Sequence, residues 1–440
     1  MAQARLANRF GCRVLNAGGT AADHPSGISG VRLGLRANWR QFALLVAINA
    51  FVGGMVGLER SVLPLLAKDE FGIASKTVAV SFIATFGLAK AVTNLYAGSL
   101  SERFTRRRVL IAGWLFAVPV PFIIIFAPSW GWVVAANALL GVNQGLAWSM
   151  TVNMKIDLAG PQRRGLALGL NEAAGYLSVA AAAFLAGVIA ESQGLRPEPF
   201  YLGIVFAAFG LGLSSLFVRD TAPFLRAESA AHAHPAGPAP SLRRSFAETT
   251  WRRPYLFGAS QAGFANNFND GLAWGIFPLF FVSHGLSLER VAALSAVYPL
   301  AWGGLQLVTG WASDFAGRTP LIVGGMLLQA FAISAVGFAN SYALWLLSVA
   351  ALGLGTAMVY PTLLAAIGDA VHPLERATTI GVYRFWRDCG AMAGALVGGA
   401  LADILGFGPA IQIVAALTAL SGIVAAITMR RGVSAAEVSS

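Results

Sequence analysis

Charged residues inside apolar stretches are the positions where this chain could do chemistry. Each interrupts a run of mainly apolar residues, and they comprise four acids and four bases: Glu59, Arg60, Lys90, Glu172, Asp270, Arg384, Arg387 and Asp388. At the centre of a bilayer a single charge costs at least about 2.5 to 3.5 kcal/mol, so charges kept there are usually paired or functional. Equal numbers of acids and bases permit complete pairing.

Two of the acids are candidates for a carboxylate that binds a proton or a substrate. Asp270 is the first choice because its own helix offers no basic neighbour, and Glu172 is the second. Asn266 precedes Asp270 by four residues, so both lie on one helix face. The alternative is that each acid is permanently paired with an arginine and only holds helices together.

The basic candidates cluster near the end of the chain. Arg384, Arg387 and Asp388 follow an i, i+3, i+4 spacing, which places them on one helix face. Further polar residues in apolar runs could hydrogen-bond a ligand or, equally well, a neighbouring helix. These are Asn143, Gln144 and Tyr360.

The composition requires a membrane. Of 440 residues, 56% are hydrophobic and 12% charged, and the mean hydropathy is +0.66. The two cysteines, Cys12 and Cys389, match neither a disulfide framework nor a metal site. The sequence contains no Gly-Lys-Ser/Thr phosphate loop, which argues against an ATP-driven pump. It therefore predicts no catalytic residue, metal or cofactor, and the protein is not expected to be an enzyme.

Apolar runs long enough to span a bilayer predict twelve membrane helices. Their expected ranges are 42–66, 77–98, 109–127, 131–154, 166–190, 200–218, 255–282, 291–312, 321–339, 342–367, 378–404 and 409–429. Basic residues crowd one side of this arrangement, whereas the opposite loops hold only Lys68, Lys76, Arg196 and Arg290. The bias places both termini in the cytoplasm. It also explains the net charge of +11 without nucleic acid.

One stretch of the chain occurs twice. Residues 157–194 match residues 369–406 without a gap, and equivalent positions are separated by 212 residues (for instance 369 − 157). Such a repeat indicates a protein built from two like halves. By the same offset, Arg384 is the repeat equivalent of Glu172, so the two halves carry charges of opposite sign at equivalent positions.

The loops after the second and eighth predicted helices carry two copies of one motif. The first contains Gly98, Glu102, Arg103 and Arg106, and the second contains Gly310, Asp314 and Arg318. Both resemble the cytoplasmic loop signature of the major facilitator superfamily, Gly-x-x-x-Asp-Arg-x-Gly-Arg-Arg, with Glu102 at the acidic position and Thr105 where glycine is usual. In that superfamily the acidic and basic residues of this cluster latch the two halves together on the cytoplasmic side.

The resemblance implies an all-α integral membrane fold with twelve transmembrane helices in two pseudo-symmetric six-helix bundles. In such a fold, helices one, four, seven and ten line the cavity, and helices two and eleven meet between the halves. Lys90 and Asp388 lie in those two meeting helices, which suggests the hypothesis that they form an ion pair in one conformation. Helix four is similar to the Arg-x-x-Gln-Gly stretch of proton-linked drug exporters, with Gly141 in the arginine's place.

The expected organisation is a cytoplasmic tail (1–37), a first bundle (38–218), a cytoplasmic linker (219–254), a second bundle (255–430) and a short tail (431–440). The predicted function is secondary active transport of a small solute by alternating access, coupled to protons, by a monomer in a plasma membrane of the bacterial inner-membrane type. A small organic anion or zwitterion and an amphipathic cation both remain open as substrates. A sensor or assembly scaffold that does not transport is the alternative.

Overall fold

The computed structural model describes residues 34–159, 164–224, 242–371 and 373–437, and within these ranges the chain is helical without strands. Twelve long helical segments follow one another. Nine of the twelve meet the length and hydropathy of a membrane-spanning helix. The second, fourth and seventh fall short because lysine, asparagine, glutamine or aspartate lowers their hydropathy. The polar candidates of the sequence are concentrated in these three and in the eleventh.

The first half contains six of the segments. They are α1 (Trp39–Arg60, continued by Leu63–Asp69), α2 (Ser81–Phe104), α3 (Arg106–Ala117, continued by Pro119–Ile125), α4 (Trp130–Asn143 and Ser149–Ala159, joined by the π-helical turn Gln144–Trp148), α5 (Arg164–Gln193) and α6 (Glu198–Leu216). A one-turn helix, Lys76–Ala79, precedes α2.

The second half repeats this order. It contains α7 (Pro254–Ser283), α8 (Leu288–Ala316), α9 (Arg318–Phe338), α10 (Tyr342–Ala370), α11 (Pro373–Leu405) and α12 (Phe407–Glu437). Two short elements, Leu242–Ala247 and the π-helical turn Glu248–Arg252, precede α7. The first residues of α3 and α9 are separated by the repeat offset, and so are those of α4 and α10.

The two halves meet along two helix pairs. α2 packs along α11, and α5 packs along α8. Within the halves, α1 packs on α5 and α7 packs on α11. Glycine permits the closest approach: a Cβ added at Gly394 would overlap the carbonyl oxygen of Phe268 in α7. The small-residue spacing of α11 therefore serves close helix packing, as expected from the sequence.

Candidate functional site

Asp270 lies in the middle of α7 and is buried. The Tyr298 hydroxyl of α8 donates a hydrogen bond to its Oδ1, and Arg387 Nη2 of α11 lies 3.9 Å from its Oδ2. The Tyr298 oxygen also lies 3.2 Å from Thr356 Oγ1 of α10. The counter-charge that α7 lacks is therefore supplied by α11, so the geometry includes the arginine pairing considered as the alternative for this acid.

Asp388 connects the two halves. Lys90 Nζ of α2 lies 3.3 Å from Asp388 Oδ1, and Asn94 Nδ2, one turn further along α2, donates to Asp388 Oδ2 at 2.6 Å. Arg387 Nη1 lies 3.8 Å from Oδ1 of the same carboxylate. The contact hypothesised between Lys90 and Asp388 is thus present, and its role in a conformational change stays a prediction.

Glu172 in α5 is buried but has neutral partners. Trp148 Nε1 and Asn171 Nδ2 both donate to its Oε1 at 3.0 Å, and the Tyr360 hydroxyl of α10 donates to Oε2 at 3.4 Å. No lysine or arginine in the described ranges lies within 4.0 Å of it. Its repeat equivalent, Arg384, interacts with it only at longer electrostatic range.

Three predicted polar residues are directed toward neighbouring helices. Asn266 Nδ2 donates to Gln329 Oε1 of α9 at 3.1 Å. Asn143 Nδ2 donates to the Gly113 carbonyl of α3 at 3.0 Å, and Gln144 Nε2 donates to the Val52 carbonyl of α1 at 2.7 Å. These bonds correspond to the helix-to-helix alternative that the sequence left open.

A small cavity of about 30 Å³ lies among the charged groups. Its walls come from α1, α2 and α5 of the first half and from α7 and α11 of the second. Of the four helices that the resemblance expects around a substrate cavity, α1 and α7 contribute to these walls and α4 and α10 do not. Asn143 and Gln144 of α4 bond to neighbouring helices, while α11 contributes Arg387 and Asp388.

Arg60 forms the α1 side of this cavity and is 1% exposed. Its guanidinium carbon lies 4.7 Å from the ring centroid of Trp274 and 4.8 Å from that of Phe86. Its Nε, Nη1 and Nη2 have no hydrogen-bond partner in the part of the chain that the structure describes. The sequence marked Arg60 as one of the eight intramembrane charges. The aromatic partners come from α2 and α7, which no local pattern could reveal.

Two arginines of the repeated loop motifs form ion pairs with acids of their own half. Arg106 forms an ion pair with Asp157, and Arg318 Nε lies 3.1 Å from Asp369 Oδ2. Arg103 is placed against the Phe104 ring, 5.1 Å from its centroid. Gly98 and Gly310 lie in the last turns of α2 and α8. The side chains of Glu102 and Asp314 lie outside the described residues, so the latch between halves stays a prediction.

The opposite, outer end has bonds that cross between the halves. Asp403 of α11 accepts hydrogen bonds from Lys76 N at 2.7 Å, from Thr77 N at 3.0 Å and from the Ser75 and Thr77 hydroxyls. Glu191 of α5, its repeat equivalent, accepts a bond from Leu288 N at 2.7 Å. We call these two acids the outer caps. Each caps the start of a helical segment in the other half.

The family model of the Major Facilitator Superfamily matches residues 42–268 and 259–439, which together cover most of the chain. The chain belongs to this superfamily. As a superfamily member it is a multi-pass membrane protein of a transporter family, and the all-helical structure agrees with that assignment.

Individual relatives of this superfamily member support the assignment over different lengths. The uncharacterized MFS-type transporter YddS of Bacillus subtilis is 28% identical over 367 residues, covering 81% of this chain and 83% of that protein. The multidrug resistance protein MdtH of Aeromonas hydrophila is 33% identical over 133 residues, covering 28% and 34% of the two chains. The MFS-type transporter ppzB of Metarhizium majus is 25% identical over 167 residues, covering 37% and 36%.

Proposed function

We propose that this protein is a secondary active transporter that carries a small solute by alternating access. The observation that carries the proposal is the cavity that both halves line, with buried charges from α1, α7 and α11 and the half-buried Lys90 of α2 around it. Because the walls belong to two repeat-related bundles, a rocking motion of one bundle against the other would open the cavity to one side or the other. The protein works as a monomer in this proposal, since one chain supplies every wall.

The bonds at one end of the molecule support a direction for this motion. Outer caps Asp403 and Glu191 accept hydrogen bonds from the other half. In this proposal these bonds hold the outer end closed and break before the transporter opens toward the outside. The end opposite the caps and both termini face the cytoplasm in this proposal, which the excess of basic residues on that side supports. The proposed membrane is a plasma membrane of the bacterial inner-membrane type.

Protons are the proposed coupling ion, and Asp270 is the proposed site of proton uptake, with Glu172 as the second candidate. Asp270 meets Arg387 at 3.9 Å, and Arg387 also reaches Asp388 at 3.8 Å. A proton on Asp270 would remove one of the two acids that compete for this arginine. Arg387 would then shift toward Asp388, which the Lys90 ion pair links to α2 of the other half.

Alternating access can be tested without knowing the substrate. Cys12 and Cys389 are replaced by serine, and a single cysteine is introduced by Ala391→Cys in the cavity wall. In sealed vesicles of known orientation, we expect a membrane-impermeant thiol reagent to label this cysteine from either side. The controls are Arg290→Cys, labelled from outside alone, and lipid-facing Phe331→Cys, labelled from neither side.

Labelling of the cavity cysteine from one side alone would contradict alternating access and favour the sensor or scaffold. Proton coupling is tested in the same assay. We expect the ratio of outside to inside labelling to change with pH in the parent and to lose that dependence in Asp270→Asn. A pH dependence that persists in Asp270→Asn but disappears in Glu172→Gln would transfer the proton site to the second candidate.

Efflux of amphipathic compounds is a second candidate function. The similarity to the multidrug resistance protein MdtH favours it, over 28% of this chain. Thermal stability of the purified protein with a panel of cationic drugs tests this alternative, because a ligand that binds the folded state alone raises the melting temperature.

A further inference from the structure

Arg60 is placed as a ligand-binding group would be. Its guanidinium carbon lies over the rings of Trp274 and Phe86, 4.7 and 4.8 Å from their centroids. Contact with ring faces stabilises the cation in the membrane interior but leaves its N–H groups without acceptors. All three nitrogens lack hydrogen-bond partners among the described residues, although the residue is 1% exposed. A buried guanidinium left in this condition is costly unless an acceptor arrives.

Other unpartnered atoms around the same cavity are also donors. Arg387 Nε and Nη2 have no hydrogen-bond acceptor in the described part of the chain, and neither does Trp274 Nε1. Arg60, Arg387 and Trp274 all line the cavity. The unpartnered atoms of the cavity wall are therefore N–H donors. They can bind acceptor oxygens of a ligand, and they disfavour a ligand that carries further donors.

The charged side chains that line the cavity also favour an anionic ligand, because basic residues outnumber acidic ones. Arg60, Lys90 and Arg387 contribute three positive charges, and Asp270 and Asp388 contribute two negative charges. Each acid already has a basic neighbour within 4.0 Å, Arg387 for Asp270 and Lys90 for Asp388. Arg60 forms no ion pair within 4.0 Å with either acid of the wall in the described residues. A ligand with one negative charge would give it the partner that the wall does not supply, which matters because an unpaired charge is expensive inside a membrane.

We infer that the cavity binds a small organic monoanion, a carboxylate attached to an apolar or aromatic body, with Arg60 as the residue that binds the carboxylate. This inference rests on the proposed transport function and names the substrate class for it. The planar guanidinium matches a carboxylate through two parallel hydrogen bonds. Phe86, Trp274 and Ile83 of the wall supply apolar contact for the body of the ligand.

Glu59 does not take the place of this ligand. It precedes Arg60 in α1, so the two side chains leave the helix in different directions. It is buried, is absent from the cavity wall and forms no ion pair within 4.0 Å of Arg60 in the described structure. The acceptor for Arg60 must therefore come from the cavity.

The size of the cavity limits what the closed conformation holds. A volume of about 30 Å³ accommodates a group of the size of a water molecule or a carboxylate, and drug-sized ligands need several hundred cubic ångströms. In the closed conformation the carboxylate of the ligand binds at Arg60. Space for the apolar body of a larger ligand forms when the halves separate along α2 and α11.

The test compares matched probes of different charge. Melting temperatures of the purified full-length protein are measured with phenylacetate and 3-phenylpropionate, with the corresponding neutral amides, and with the cation phenethylamine. The variants are Arg60→Gln, Arg60→Lys and the control Arg290→Gln. Arg290 is an exposed arginine against an aromatic ring, that of Tyr342 at 5.5 Å, but it lies outside the cavity.

We expect the carboxylates to raise the melting temperature of the parent and of Arg290→Gln, and the amides and the amine to leave it unchanged. Arg60→Gln should weaken carboxylate binding by at least about tenfold, the usual effect of losing a charged hydrogen-bond partner. Arg60→Lys should be intermediate because lysine keeps the charge without the planar fork. If Arg60→Gln does not fold, the carboxylate affinity of Arg60→Lys relative to the parent decides whether Arg60 binds the ligand.

Stabilisation by the amine in place of the carboxylates, or unchanged carboxylate affinity in both Arg60 variants, would overturn the inference. So would the absence of any carboxylate effect while Ala391→Cys is labelled from both sides, and in that case the proposed transport would still stand. Carboxylate binding that depends on Arg60, combined with labelling from one side alone, would support the anion site and reject alternating access.

Discussion

Thr105 has a backbone conformation that residues other than glycine rarely adopt. It has φ 79° and ψ 147°, and it is the one non-glycine residue with positive φ in the described ranges. Its repeat equivalent is Gly317, with φ 85° and ψ 151°. The two halves thus share one sharp turn after α2 and α8, and the first half makes it with a β-branched residue. Such a conformation costs about 1 to 3 kcal/mol for a non-glycine residue.

Exchanging these two residue types should shift stability in opposite directions. We expect Thr105→Gly to raise the free energy of unfolding by about 1 kcal/mol or more and Gly317→Thr to lower it by a similar amount, because strain is removed in one turn and added in the other. Thermal unfolding in detergent measures both. The control is Thr85→Gly inside α2, which should lower the free energy of unfolding by roughly 0.3 kcal/mol, the difference in helix propensity between threonine and glycine. A destabilising Thr105→Gly would show that this turn is not strained.

The site residues differ in how far the sequence could predict them. The contact of Lys90 with Asp388 could be predicted because each residue lies at a known distance from the end of its helix and the resemblance indicates which helices meet. Tyr298, which bonds to Asp270, could not be predicted, and neither could Trp274 and Tyr176, which line the cavity. Aromatic residues are common in membrane helices, and nothing local distinguishes these three. Asn266 and Gln144 were identified as polar, but their bonds to Gln329 and Val52 depend on packing that spacing alone does not define.

At the scale of helices, the sequence predicted the number and order of the long segments. Every predicted span overlaps one of α1 to α12. The ends differ because a helix continues past the apolar run that predicts it: α11 begins at Pro373 and α12 extends to Glu437, whereas the runs cover 378–404 and 409–429. The π-helical turn Gln144–Trp148 in α4 has no hydropathy signal and could not be predicted.

The outer caps join helices of opposite halves and should therefore govern opening toward the outside. Asp403→Asn removes the charge that Lys76 N, Thr77 N and the Lys76 ammonium contact. We expect this change, and Glu191→Gln at the equivalent position, each to weaken outward closure by roughly 1 kcal/mol, since both caps are partly exposed. Labelling of Ala391→Cys from outside should rise about fivefold in each and further in the double variant.

Asp69→Asn is the control for the caps, because Asp69 is an exposed acid at the outer end of α1. It should leave labelling unchanged. Equal labelling of the parent and the double cap variant would mean that Asp403 and Glu191 only stabilise their local turns and do not resist separation of the halves.

At the scale of the whole molecule, the internal repeat explains why one chain can offer two similar bundles with different chemistry. Helix starts, turns and outer caps recur in the two halves at the same sequence offset. The halves differ at the equivalent positions 172 and 384, which carry a glutamate and an arginine. The sequence predicted this division, because a gap-free repeat is visible without a structure. The bonds of the outer caps across the halves could not be predicted, since spacing within one helix does not show which residues of the other half it meets.

The surplus positive charge of the cavity wall has an electrical consequence. A wall with three basic and two acidic side chains is more positive when empty than with a bound monoanion, so membrane voltage acts differently on the empty and the loaded protein. One charge crossing the full field is worth about 2.3 kcal/mol per 100 mV. An interior-negative potential should therefore favour the cytoplasm-facing form of the empty protein and decrease labelling of Ala391→Cys from outside. Voltage-clamped vesicles would reveal this decrease in the parent and its absence in Arg60→Gln, and an equal response of both would contradict it.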